Sequence, residues 1–85
     1  MSRAAELKEV RKEARKVGLI FRRSNTPLDG VYLWYFQDSR RGDFALKNCL
    51  FWEAYSLTKS GFIRSFDAET GYFRDEMFFI RGKGW

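Results

Sequence analysis

Val31-Tyr32-Leu33-Trp34-Tyr35-Phe36 is the longest apolar run in the chain, and it constrains the fold more than any other segment. Six residues fall far short of the roughly 20 needed to cross a bilayer, and their aromatic and β-branched character is that of a strand. Alternation puts Tyr32, Trp34 and Phe36 on one face and Val31, Leu33 and Tyr35 on the other, so both faces are apolar. Such a strand either lies in a sheet with both faces covered or leaves one face as an aromatic platform. The rest of the chain must therefore supply partner strands and at least one covering layer.

The flanking segments do so. Residues 3–17 read as a helix: Ser2 is an N-cap, good helix formers follow, and Gly18 can end the helix in the left-handed conformation. At 100° per residue Leu7, Val10, Ala14 and Val17 share one narrow face, which predicts docking on a core. Leu19 and Phe21 alternate with Ile20 and Arg22 as in a strand, and Asn25 to Gly30, with Pro27 and Asp29-Gly30, is a turn. Asp38 to Asp43 is a second turn that leads into a third strand, Phe44 to Lys47. Asn48 is the expected N-cap of a second helix over 49–60, with Leu50, Ala54 and Leu57 at helical spacing and Ser60-Gly61 as its stop. Residues 62–73 read either as a hairpin or as a continuation of that helix, and Met77 to Ile80 reads as a last strand. The expected fold is α+β: an N-terminal helix, a three-stranded antiparallel meander over 19–47, a second helix, and a C-terminal extension over 62–85 with one or two short strands. Eighty-five residues allow one domain. A chain of this size buries only about 60–65% of its unfolded surface, and 16 aromatic residues, each able to bury about 150–250 Å², offset that shortage.

Charge is distributed unevenly along this chain. The net charge is +5, and all of it belongs to residues 1–24, where eight cations face Glu6, Glu9 and Glu13; the remaining residues sum to zero. On the helical wheel Glu6, Glu9 and Glu13 line one flank of the apolar stripe, and Lys8, Arg11, Lys12 and Arg15 line the other. A mixed exposed face is usually only solvated, and Glu13 with Lys16 makes an ordinary i,i+3 pair. Lys8 with Lys12, and Arg11 with Arg15, are instead like-charge i,i+4 pairs that each cost a few tenths of a kcal/mol. Together the four cations form a ridge about two turns long, suited in length and sign to a run of phosphates.

Composition also excludes several kinds of chemistry. Without histidine there is no Ser-His-Asp or Cys-His nucleophile system, and one cysteine, Cys49, builds neither a disulfide nor a Cys-rich zinc site. No calcium-loop spacing is present among the acids, so neither a metal nor another cofactor is expected. Cys49 reads as a buried structural thiol. The absence of an apolar h-region after Met1, together with an unpaired cysteine, reads as a cytoplasmic protein with no membrane association.

Two resemblances bear on the setting. The α-β-β-β-α order over residues 3–60 resembles the double-stranded-RNA-binding domain in topology. That family presents a lysine-rich cluster at the start of its second helix, where this chain has Asn48-Cys49-Leu50-Phe51-Trp52-Glu53. It also has a loop histidine that is missing here, so its RNA-binding residues do not carry over. Leu7-Lys8-Glu9-Val10-Arg11-Lys12-Glu13-Ala14 with Gly18-Leu19-Ile20-Phe21, and Asn48 to Tyr55 with Ser60-Gly61-Phe62, resemble small uncharacterised accessory proteins of tailed phages and prophages. The second resemblance implies a phage setting, the host cytoplasm as location, and a role in binding nucleic acid or disabling a host protein.

The sequence therefore points to a small non-enzymatic phage-type protein that binds DNA or RNA backbone, without strong base specificity, through Lys8, Arg11, Lys12 and Arg15 with Arg22 and Arg23. The alternative is an inhibitor or adaptor that meets an acidic host protein through the same face or an exposed aromatic patch. Arg40, Arg41, Trp34 and Trp85 are further candidate contacts, Trp85 because it ends the basic tail Arg81-Gly82-Lys83-Gly84-Trp85. A homodimer that buries the aromatic excess is a further form open to the chain.

Overall fold

Residues 2–75 are described by the computed structural model of the chain, and the expected last strand at Met77 to Ile80 and the tail with Trp85 lie outside them. The Ser2 hydroxyl accepts the Ala5 N–H at 3.2 Å and opens helix α1, Arg3–Lys16. At its far end the N–H groups of Val17 and Gly18 return to the carbonyls of Ala14 and Arg15, and Gly18 takes φ +84°. Any side chain there would be strained, which is why glycine ends this helix. Val10 and Ala14 are fully buried and Leu7 and Val17 pack against the same core, as their spacing predicted.

Strands β1 (Leu19–Arg23), β2 (Trp34–Asp38) and β3 (Phe44–Cys49) form an antiparallel sheet in the order β1-β2-β3. Helix α2 (Phe51–Lys59) follows, then a single 3-10 turn, Ile63–Ser65, and a hairpin of β4 (Phe66–Asp67) and β5 (Tyr72–Phe73). The architecture is α+β, and residues 62–73 resolve as a 3-10 turn plus a hairpin, not as prolonged helix.

The inner face of the sheet carries Leu19, Phe21, Trp34 and Phe36, all buried. Phe21 stacks on Trp34 with ring centroids 4.7 Å apart and lies 4.7 Å from Phe36, while Phe51 of α2 meets Trp34 edge-on at 5.3 Å. Each such pair adds about 0.5–1.5 kcal/mol beyond its buried area, so aromatic side chains supply what a short chain lacks in core volume. A second aromatic group, Phe62, Phe66 and Phe73, fixes the small hairpin to the same core.

Three boundaries differ from the sequence expectation. The central strand occupies 34–38, not 31–36: Val31 instead pairs with Leu28 across a two-residue turn. Asp29 and Gly30 both have positive φ there, the pattern of a type I′ turn. The third strand runs to Cys49, not Lys47, and Asn48 does not cap a helix: it lies within β3 at φ +61°, a conformation asparagine tolerates, beside a register shift in the β2–β3 pairing. Leu50 takes the N-cap position, and its N–H donates to the Glu53 carboxylate at 2.8 Å. Burial raises the pKa of the Cys49 thiol, with Glu53 adding to the effect, as expected of a structural cysteine.

Asp38 sits at the end of β2 and is 2% exposed. Its carboxylate accepts the N–H groups of Arg40 (2.9 Å) and Arg41 (3.2 Å) and the Arg41 guanidinium (2.9 Å). The same guanidinium donates to the carbonyls of Ala68, at 2.8 Å, and Glu69. Arg41 thus fastens the β2–β3 turn to the β4–β5 turn, and Gly71 leaves room for it: a Cβ at that position would lie 3.1 Å from the guanidinium carbon.

Candidate nucleic-acid interface

Because Val10 and Ala14 face the core, the two charged flanks of α1 turn to opposite sides, and the fold treats them differently. On the acidic flank Glu9 binds Lys59 of α2 at 2.9 Å, and Glu13 binds Arg64 at 2.6 Å and Lys16 at 3.1 Å. The Arg64 guanidinium, followed by Lys16, holds the Glu13 carboxyl down at about 2, while Glu9 pushes the Lys59 ammonium up. On the basic flank Lys8, Arg11, Lys12 and Arg15 are all exposed. Among the described residues no acid pairs with any of the four. The side of α1 that packs beside α2 and the 3-10 turn is therefore neutralised, and the other side keeps its full charge.

Arg11 and Arg15 also line a cleft of about 200 Å³ whose floor is Gly18 to Phe21 at the start of β1. Among the described residues β1 is an edge strand of the three-stranded sheet, and the cleft brings the Arg11 and Arg15 part of the ridge beside its start.

The remaining predicted residues are dispersed. Arg22 pairs across the sheet with Tyr35 and points to the outer face, away from the helices. Arg23 pairs with Trp34 in the adjacent register, and its guanidinium lies 4.3 Å from the centre of the Tyr32 ring. Arg40 is exposed and lines an open cleft of about 560 Å³ that mixes Lys16, Arg64 and Arg74 with Asp67 and Glu69. Two others are used by the fold: the Arg41 guanidinium is engaged by Asp38 and two carbonyls, and Trp34, 9% exposed, is part of the core. Of the two readings open for the Tyr32, Trp34 and Phe36 row, core or platform, Trp34 and Phe36 take the core, and Tyr32, outside the strand, is exposed.

Sequence reasoning missed the pair that does face outward. Tyr35 and Phe44 meet edge-on, centroids 4.8 Å apart, on the face of the sheet away from the helices, and Phe44 is 54% exposed. Alternation alone does not choose a side; the burial of Phe36 and Asp38 in the folded chain, with the period of two, places Tyr35 outward. Among the described residues no group of three or more Cys, Asp or Glu side chains converges as a metal site, and no helix is long and apolar enough to cross a membrane. No protein-family model, curated protein or solved structure matches the chain.

Proposed function

We propose that this chain is a small non-enzymatic accessory protein of phage type that binds nucleic acid through phosphate contacts made by Lys8, Arg11, Lys12 and Arg15. The observation that supports this reading is the asymmetry of α1: Glu9 and Glu13 are consumed by Lys59, Arg64 and Lys16, while the four ridge cations lack acidic partners among the described residues. Four like charges kept adjacent on one helix cost stability, and a polyanion offsets that cost by releasing its counterions. Arg22 and Arg23, on β1 and apart from the ridge, are secondary contacts. Phosphates carry no sequence information, so the interface positions the protein without reading bases.

Fluorescence anisotropy with labelled duplexes of unrelated sequence at low salt tests this reading. All should bind, with affinities within about threefold of one another. Failure of every duplex and single strand to bind would defeat the proposal.

A second reading, an inhibitor or adaptor for an acidic host protein, draws on the exposed Trp52, 64% accessible at the start of α2, and on Leu28, Val31 and Tyr32 at the hairpin tip. Under that reading Trp52→Ala would do more damage than any ridge substitution, and the complex would survive nuclease treatment.

A further inference from the structure

The face of the sheet opposite the helices presents Ile20, Arg22, Tyr35, Gln37 and Phe44. The cross-strand partners Ile20 with Gln37, Arg22 with Tyr35, and Gln37 with Phe44 place all five on one side. The one charged residue among these five is a cation, Arg22, exposed and paired across the sheet with Tyr35. An aromatic pair with Phe44 more than half exposed, beside a cation, suits a stacked base with its phosphate alongside.

This face is also continuous with the basic ridge. Ile20 belongs to it and lines the cleft that holds Arg11 and Arg15, so a flexible strand leaving the ridge crosses one edge strand before reaching Tyr35 and Phe44. A duplex, with its bases stacked inside, cannot use a side-chain platform of this kind. We infer that the preferred ligand is a single strand of nucleic acid, with phosphates along Arg11, Arg15 and Arg22 and bases stacked on Phe44 and Tyr35. This rests on the nucleic-acid reading above and narrows it to one class of ligand. Gln37 donates one amide N–H to the Gly42 carbonyl at 2.8 Å. Ring stacking and phosphate contacts do not involve the sugar, so binding is indifferent to the 2′-OH.

The test uses the full chain with labelled oligo-dT and oligo-rU of about twelve nucleotides and a duplex of equal length. Phe44→Ala should lower affinity for both single strands about 5- to 100-fold, Phe44→Tyr should restore it, and duplex affinity should change less than about twofold. Phe44 is more than half exposed, so the substitution leaves the core intact, and a thermal melt checks this. Unchanged single-strand binding by Phe44→Ala, with loss in Arg11→Gln/Arg15→Gln, would overturn the platform and leave the ridge standing. No binding of any oligonucleotide by the wild type would overturn both, and a preference for oligo-rU greater than about tenfold would overturn the indifference to sugar.

Discussion

Arg11→Gln combined with Arg15→Gln should lower affinity for a short duplex about 100-fold near 0.1 M salt, because each phosphate contact contributes about a factor of ten there through counterion release. Lys59→Gln combined with Arg64→Gln removes the same two charges from the +5 chain and should change affinity less than about threefold. The contrast separates location from net charge. Lys59 and Arg64 already neutralise Glu9 and Glu13, whereas Arg11 and Arg15 neutralise nothing among the described residues. Equal losses in the two double variants would mean that only overall charge matters and that the segregation on α1 has no functional meaning. Anisotropy titrations side by side, with circular dichroism to verify folding, decide between these outcomes.

Arg41→Ala should destabilise the fold by about 2–3 kcal/mol, somewhat less than breaking a fully buried ion pair costs, since the arginine itself reaches solvent. The substitution strands the Asp38 carboxylate and frees the carbonyls of Ala68 and Glu69, so the β2–β3 and β4–β5 turns lose their tie. The effect should depend on pH in a defined sense. Burial pushes the Asp38 carboxyl up, but the Arg41 guanidinium and the N–H groups of Arg40 and Arg41 together hold it below its ordinary value of 3.8. A carboxyl held below its unfolded value stabilises the fold above that value and loses the contribution as pH falls through the folded one. Without the guanidinium, burial prevails. The gap between wild type and Arg41→Ala should therefore be widest near neutral pH and narrow below about pH 4. Urea titrations at several pH values measure it, and a gap that widens on acidification would contradict the account. Gly71→Ala should weaken the same tie less, by about 1–2 kcal/mol, through its φ of +81° and the crowding of Arg41.

How much of this was legible in the sequence follows from whether a signal is local. The cap at Ser2, the stripe Leu7, Val10, Ala14 and Val17, and the stop at Gly18 depend on spacings within one helix, and the structure places all of them as expected. The Asp-Gly turn at 29–30 is local in the same way. Asn48 misled because the chemistry that suits it to an N-cap also lets it enter the left-handed region inside an irregular strand. The strand at 34–38 has apolar residues on both faces, so alternation could not say which side is inside. The helices decide that through Phe51 and Val10. The pairing of Glu9 with Lys59 and Glu13 with Arg64 joins residues 50 and 51 positions apart, and the grip of Arg41 on Ala68 spans 27. Such partners emerge only once the elements are packed. The basic ridge was visible as a pattern, but its lack of acidic partners among the described residues was not, and the proposed anion site rests on that lack.

The dependence of duplex affinity on salt tests the central claim most directly. If Lys8, Arg11, Lys12 and Arg15 engage phosphates with one or both of Arg22 and Arg23, log K should fall with log salt at a slope of about −4.5 to −5.5. A slope near zero, with affinity held constant across the salt series, would show that the ridge does not meet phosphates and would contradict the account.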